Sequence, residues 1–210
     1  MGLLNYDGPF MTGLRKLVNY VFLGILWVVA SIPIITFGAS TTAMLFTAEN
    51  SVRKDQPKML STFWNCFRNE FKQATILWLI AIVLIAPLAL NAFLLWRMEM
   101  PNVIFAVLFI TVLFGFCWIQ LWFGYLATFE DTVRTILGNT FRMTLINFPW
   151  AVLMLGLVVV SIVGAIFAFF FAAPVLFLIP GIYGMLASRI IRRIFKNFLP
   201  DEDNPEMIDE

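Results

Sequence analysis

The fold class this sequence predicts is all-α: a polytopic membrane helix bundle with six membrane helices, the first hairpin short, and both termini in the cytoplasm. Three observations carry it. The 210 residues are 61% hydrophobic and 13% charged, with 23 Phe, 7 Trp and a mean hydropathy of +0.89, far from an ordinary soluble domain. Several runs exceed the roughly 18 uncharged residues that mark a bilayer-spanning helix, which needs about 20 residues at 1.5 Å rise to cross about 30 Å of hydrocarbon. The basic residues gather in segments that hairpin connections place on one side. The alternating pattern of a membrane β-barrel is absent from the sequence.

The first apolar run starts near Leu17, just after Arg15 and Lys16. No small-residue cleavage site followed by a soluble segment is visible, and equally apolar runs follow, so a retained span is expected rather than a signal peptide. Within "SIPIITFGASTTAM" the chain is expected to turn round: up over residues 17–32, a turn at 33–38, and down over 39–53. The descending arm has about 15 residues, or roughly 22 Å, which is short for a bilayer. Its Gly38, Ala39, Ser40, Thr41, Thr42 and Ala43 are small and partly hydroxylated. Two readings stand: close helix packing, or a polar floor to a substrate cavity like those of broken transporter helices.

Four further runs follow at 74–96, 103–128, 150–171 and 174–191. The connectors 97–102 and 172–173 are short, so each flanking pair should form a tight antiparallel hairpin. Segments 49–73 and 129–148 are longer, polar and basic, and are expected as two amphipathic cytoplasmic loops. In the first, Phe63, Phe67 and Phe71 share one helical face. Residues 1–198 then form one membrane-embedded helical domain, and the acidic 199–210 a disordered cytoplasmic tail.

Charge placement fixes the orientation. Arg53, Lys54, Lys58, Arg68 and Lys72 lie in the first loop, Arg134 and Arg142 in the second, and Arg189, Arg192, Arg193 and Lys196 at the last helix end. Only Arg97 falls on the other side if the first segment is a hairpin, since Arg15 and Lys16 then join the cytoplasmic set. An internal repeat agrees. "ENSVR" (Glu49 to Arg53) resembles "EDTVR" (Glu130 to Arg134), Thr62-Phe63 is matched by Thr140-Phe141, and Asn69 and Asn147 keep the same offset.

The chemistry-bearing residues point away from catalysis. The chain has no His, and no Asp or Glu inside any predicted span. That removes the Ser-His pair or buried aspartates of intramembrane proteolysis, and the ionisable residues that coupled carriers keep in the membrane. No P-loop, dinucleotide fingerprint or metal-ligand cluster is present in the sequence, so no enzyme activity, cofactor, metal or nucleic-acid partner is expected. Cys66 and Cys117 sit in unlike settings and no disulfide is expected.

Two candidate sites remain. Asn91, Trp118, Gln120, Trp122 and Tyr125 form a polar and aromatic set within the membrane. Trp118, Trp122 and Tyr125 follow i, i+4 and i+7, and Gln120 points elsewhere. Such a stripe serves packing or interfacial anchoring, or offers a sugar platform; Asn91 and Gln120 are expected to make interhelical hydrogen bonds. Lys58, Arg68, Lys72, Arg134, Arg142, Arg192, Arg193 and Lys196 form a cytoplasmic face that follows from positive-inside topology and attracts anionic membrane lipids, or that docks a partner protein. The small-residue spacings Gly164 to Ala168 and Gly184 to Ser188 are expected to serve packing within the chain.

The stretches "NYDGPFMTGLRKLVNYVFLGILWVVASIPIITFGASTTAM" and "FRNEFKQATILWLI" resemble the YesL-like family of small bacterial membrane proteins of unknown function. The likeness is strongest at "NYDGPF", "IPIITFGASTTA" and "FKQ". It departs at Glu70, where the family often carries Asn. The resemblance implies a multi-pass protein of the bacterial cytoplasmic membrane, encoded beside carbohydrate ABC importers. The expected function is therefore a non-enzymatic accessory or partner of carbohydrate uptake or its regulation. The alternative is a small uncoupled carrier or channel for a neutral solute such as a sugar.

Overall fold

The computed structural model describes residues 9–52, 58–97, 102–129, 131–171 and 173–195. Among the described residues seven α-helices occur in order: α1 (Pro9–Ser31), α2 (Phe37–Thr47), α3 (Met59–Arg97), α4 (Asn102–Leu126), α5 (Val133–Ile146), α6 (Phe148–Phe171) and α7 (Leu178–Phe195). A π-helical turn, Ala48–Val52, extends α2, and 3₁₀ turns precede α2 and α7. Among the described residues there is no strand. Among these described helices, five are long and apolar enough to cross a membrane. The acidic tail 199–210 and Lys196 lie outside the described residues.

The first hairpin forms. α1 exposes Val18, Phe22, Ile25 and Val29 along one side and buries Leu23 and Gly24. Its last turn meets the start of α2 through a 2.6 Å contact between the Ser31 and Ser40 hydroxyls, and Trp27 Nε1 donates to Thr41 Oγ1. At 11 residues α2 covers only about 16 Å and does not meet the length of a spanning helix. Its small residues are enclosed: Ala39, Ser40, Thr42 and Ala43 are each 0% exposed. The hydroxyls of Ser40, Thr41 and Thr42 donate to carbonyls three or four residues back in α2. Of the two readings of this arm, the geometry is that of close packing.

α2 runs along the first half of α3. Phe37 packs on the Trp78 ring at 4.8 Å, a Cβ on Gly38 would collide with the Ala74 carbonyl, and Met44 and Ala48 share a core with Met59, Phe63 and Cys66. The expected amphipathic loop at 49–73 is thus no separate surface segment. From Met59 onward it is the first part of one 39-residue helix, about 58 Å long, nearly twice the hydrocarbon thickness. Phe63 is buried against α2, while Leu60 and Trp64 face outward.

The second loop behaves differently for a local reason. α5 is a separate helix that starts after an extended Thr132 and ends at Asn147, which leaves helical geometry (φ −110°, ψ 33°). Pro149 then sits in the first turn of α6, where a missing N–H costs nothing. The register that pairs Asn69 with Asn147 places Pro149 opposite Phe71. Without a proline there, α3 continues unbroken.

α1 and α7 cross at two reciprocal glycines. A Cβ on Gly24 would strike the Phe177 carbonyl, and one on Gly181 would strike the Tyr20 carbonyl. Of the small-residue spacings, Gly184 rests against Met44 and Ala48, and Ser188 and Ala168 are buried. Both serve contacts within the chain. The larger core joins α3, α4, α5, α6 and α7 around Leu77, Leu121, Trp122, Ile136, Met154 and Ile194.

Candidate functional site

Trp118, Trp122 and Tyr125 do line one face of α4, and that face is the seam with α5 and α7. Trp118 Nε1 donates to Thr140 Oγ1 at 3.1 Å, and its ring meets Trp122 at 5.1 Å and Phe141 at 5.4 Å, both edge-on. Thr140 is placed for this because its own hydroxyl donates to the Ile136 carbonyl one turn back. Tyr125 Oη donates to Asp131 Oδ2 at 2.6 Å and accepts from Asn139 Nδ2 at 2.9 Å, while its ring touches Phe129 and Phe195. The Tyr125 bridge ties the end of α4 to the start of α5. Trp122 is 0% exposed, so its faces are taken up by packing. A sugar platform needs an open aromatic face, and Trp122 offers none.

Asn91 and Gln120 stand apart from this seam and from each other. The expected interhelical bonds are not the ones formed. Asn91 Nδ2 donates to the Pro87 carbonyl and Gln120 Nε2 to the Phe116 carbonyl, each four residues back in its own helix. The reason at Asn91 is local: α3 runs on through Pro87, and a helical Asn side chain reaches the carbonyl one turn back in its own helix. Beside Pro87, α3 and α4 part to leave an apolar cleft of about 630 Å³, lined by Val83, Leu84, Phe114, Trp118, Ile119 and Phe141 among others. Its walls suit hydrocarbon rather than a hydroxylated solute.

The basic residues are set by the helix ends. Arg192 Nη1 pairs with Glu49 Oε1 at 3.3 Å, joining the end of α7 to the π-turn after α2. Arg193 lies 4.3 Å over the Trp150 ring at the start of α6, a cation–π contact worth about 0.5–1 kcal/mol. Phe195 touches Tyr125 and Phe129 beyond the end of α4. The ends of α2, α4 and α7 and the beginnings of α3, α5 and α6 therefore gather together. Lys58, Arg68, Lys72, Arg134, Arg142 and Arg193 are all exposed. Arg97 is at the far end of α3, over the Phe93 ring.

Sequence reasoning overlooked Thr140, Phe141, Asp131 and Asn139 as partners of the α4 stripe, and Trp150 as the partner of Arg193. One signal was present, because Thr140-Phe141 is half of the internal repeat. Among the described residues no cluster of three or more His, Cys, Asp or Glu is disposed to hold a metal ion.

Taken together, five long apolar helices around a tightly packed core define a multi-pass helical membrane protein. Residues 20–92, from within α1 through α2 to Asn91 and its neighbour in α3, match the family described as "Protein of unknown function, DUF624", which is the YesL-like family. No curated protein and no solved structure matches the chain.

Proposed function

We propose that the chain is a non-catalytic subunit of the bacterial cytoplasmic membrane that serves carbohydrate uptake, or its regulation, by presenting a basic face to a partner such as a carbohydrate ABC importer. Both termini lie on the cytoplasmic side in this reading. The observation that carries it is the gathering of helix ends, which leaves Arg68 and Lys72 on α3, Arg134 and Arg142 on α5 and Arg193 on α7 exposed. Support for the carbohydrate setting comes from the resemblance to the YesL-like family. The aromatic set on α4 is committed to helix packing and the cleft at Pro87 is apolar, which favours a partner role over passage of a sugar.

Purification of the full chain from native membranes in mild detergent tests the reading. An importer component should copurify, and should be lost from the Arg68→Gln/Lys72→Gln variant while the chain stays monodisperse. Recovery of the chain with no importer component removes the partner role.

A further inference from the structure

We propose that the α1–α2 hairpin is a re-entrant wedge whose tip, residues 31–36, is seated among lipid acyl chains instead of reaching water. Chain direction into and out of the membrane would then be through the same face. The wedge does not depend on which partner meets the basic face.

Four observations converge on the tip. Ile32, Ile34 and Ile35 are 74%, 75% and 60% exposed at the turn itself. They prolong the outward stripe of α1, Val18, Phe22, Ile25 and Val29, whose spacing of four, three and four residues keeps them on one side of the helix. Lipid-facing surface therefore continues over the turn without a polar break.

The hydroxyls of the tip and part of its backbone are bonded within the tip, an arrangement that hydrocarbon favours. The Thr36 hydroxyl lies 2.6 Å from both the Ala30 and the Pro33 carbonyl oxygens, and the Ser31 and Ser40 hydroxyls bond to each other. Backbone N–H groups of Thr36 and Phe37 donate to the carbonyls of Pro33 and Ile34, and Pro33 brings no N–H to satisfy.

The third observation is position. Phe37 and Gly38 touch α3 at Trp78 and Ala74. Trp78 is midway along α3, 19 residues before Arg97, so about 28 Å of helix separates the tip from the α3–α4 end. That is close to a whole hydrocarbon thickness, about 30 Å. The fourth is charge. No charged residue lies between Lys16 and Glu49, whereas the α3–α4 connection carries Arg97 and Glu99. The α6–α7 connection is equally uncharged, and α1 meets it where Gly24 faces Phe177.

Single cysteines at Ile34, Lys16 and Arg97 in the full chain, in membrane vesicles of both orientations, test the wedge with a membrane-impermeant maleimide. The unsubstituted chain, with its buried Cys66 and Cys117, sets the background. Lys16→Cys and Arg97→Cys should label from opposite faces, and Ile34→Cys from neither. A permeant environment-sensitive maleimide attached at Ile34→Cys should then be quenched by phospholipid carrying a nitroxide midway along its acyl chain. Labelling of Ile34→Cys from either face overturns the wedge. So does absence of both labelling and quenching, which means that protein, such as a second copy of the chain, covers the tip. Ile35→Cys gives the same readout if Ile34→Cys does not fold.

Discussion

Substituting alanine for Gly181 perturbs the α1–α7 crossing at its tightest point. Gly181 in α7 faces the Tyr20 carbonyl and Gly24 in α1 faces the carbonyl of Phe177, just before α7, so the two contacts sit four residues apart on each segment and answer one another. Both obstacles are backbone. No rotamer change relieves an added methyl, and the helices must move apart. A gap of 0.5–1 Å forfeits roughly a quarter to a half of each dispersion well along the seam, and overpacking of this kind costs about 1–3 kcal/mol. Helix propensity works the other way, since Ala is about 1 kcal/mol better than Gly inside a helix. Gly138 in α5 separates the two effects, because a Cβ there meets nothing within 4 Å. Thermal unfolding of the full chain in one detergent should show Gly181→Ala less stable than wild type and Gly138→Ala equal to it or better. The Gly24→Ala/Gly181→Ala double variant should lose less than the sum of the singles, because one separation accommodates both methyls. A Gly181→Ala chain as stable as Gly138→Ala refutes the backbone contact.

Thr140→Val leaves Trp118 Nε1 without its acceptor and should destabilise the α4–α5 seam by about 0.6–1.7 kcal/mol, whereas Thr111→Val, whose hydroxyl bonds only its own helix, should cost less in the same unfolding assay. Arg193→Ala loses the contact over Trp150 and should lower stability by about 0.5–1 kcal/mol, a loss absent in a Trp150→Leu background. Pro149→Ala restores an N–H that the Leu145 carbonyl can accept, so α5 and α6 should fuse across Asn147 as the two parts of α3 do; slower amide exchange at Phe148 is the expected reading, and unchanged exchange contradicts it.

The long spans were legible because composition over 20 residues decides them: α4 and α6 begin and end within a few residues of the apolar runs. The turn at Pro33 was legible from the small residues that follow it and from the charge count. Lost to the sequence was how far the hairpin reaches, since that depends on Gly38 and Phe37 lodging at Ala74 and Trp78, a contact between residues some 40 positions apart in the chain. The amphipathic pattern of 59–73 signals a surface helix equally well whether it lies free or runs on into a span. Only the missing proline at Phe71 distinguishes the two cases. On α4 the periodic stripe was visible, but its neighbours were not, because Thr140 and Asn139 reach it from a different helix. Asn91 and Gln120 bond back to their own helices because a carbonyl four residues away is always present, while a partner helix at the right depth is not.

The partner role is tested most directly by carbohydrate uptake in native cells from which the chain has been deleted. Carbohydrate uptake should fall on deletion, return with the wild-type chain, and stay low with Arg68→Gln/Lys72→Gln/Arg142→Gln expressed at the same level in the membrane. Uptake unchanged by deletion contradicts the role outright.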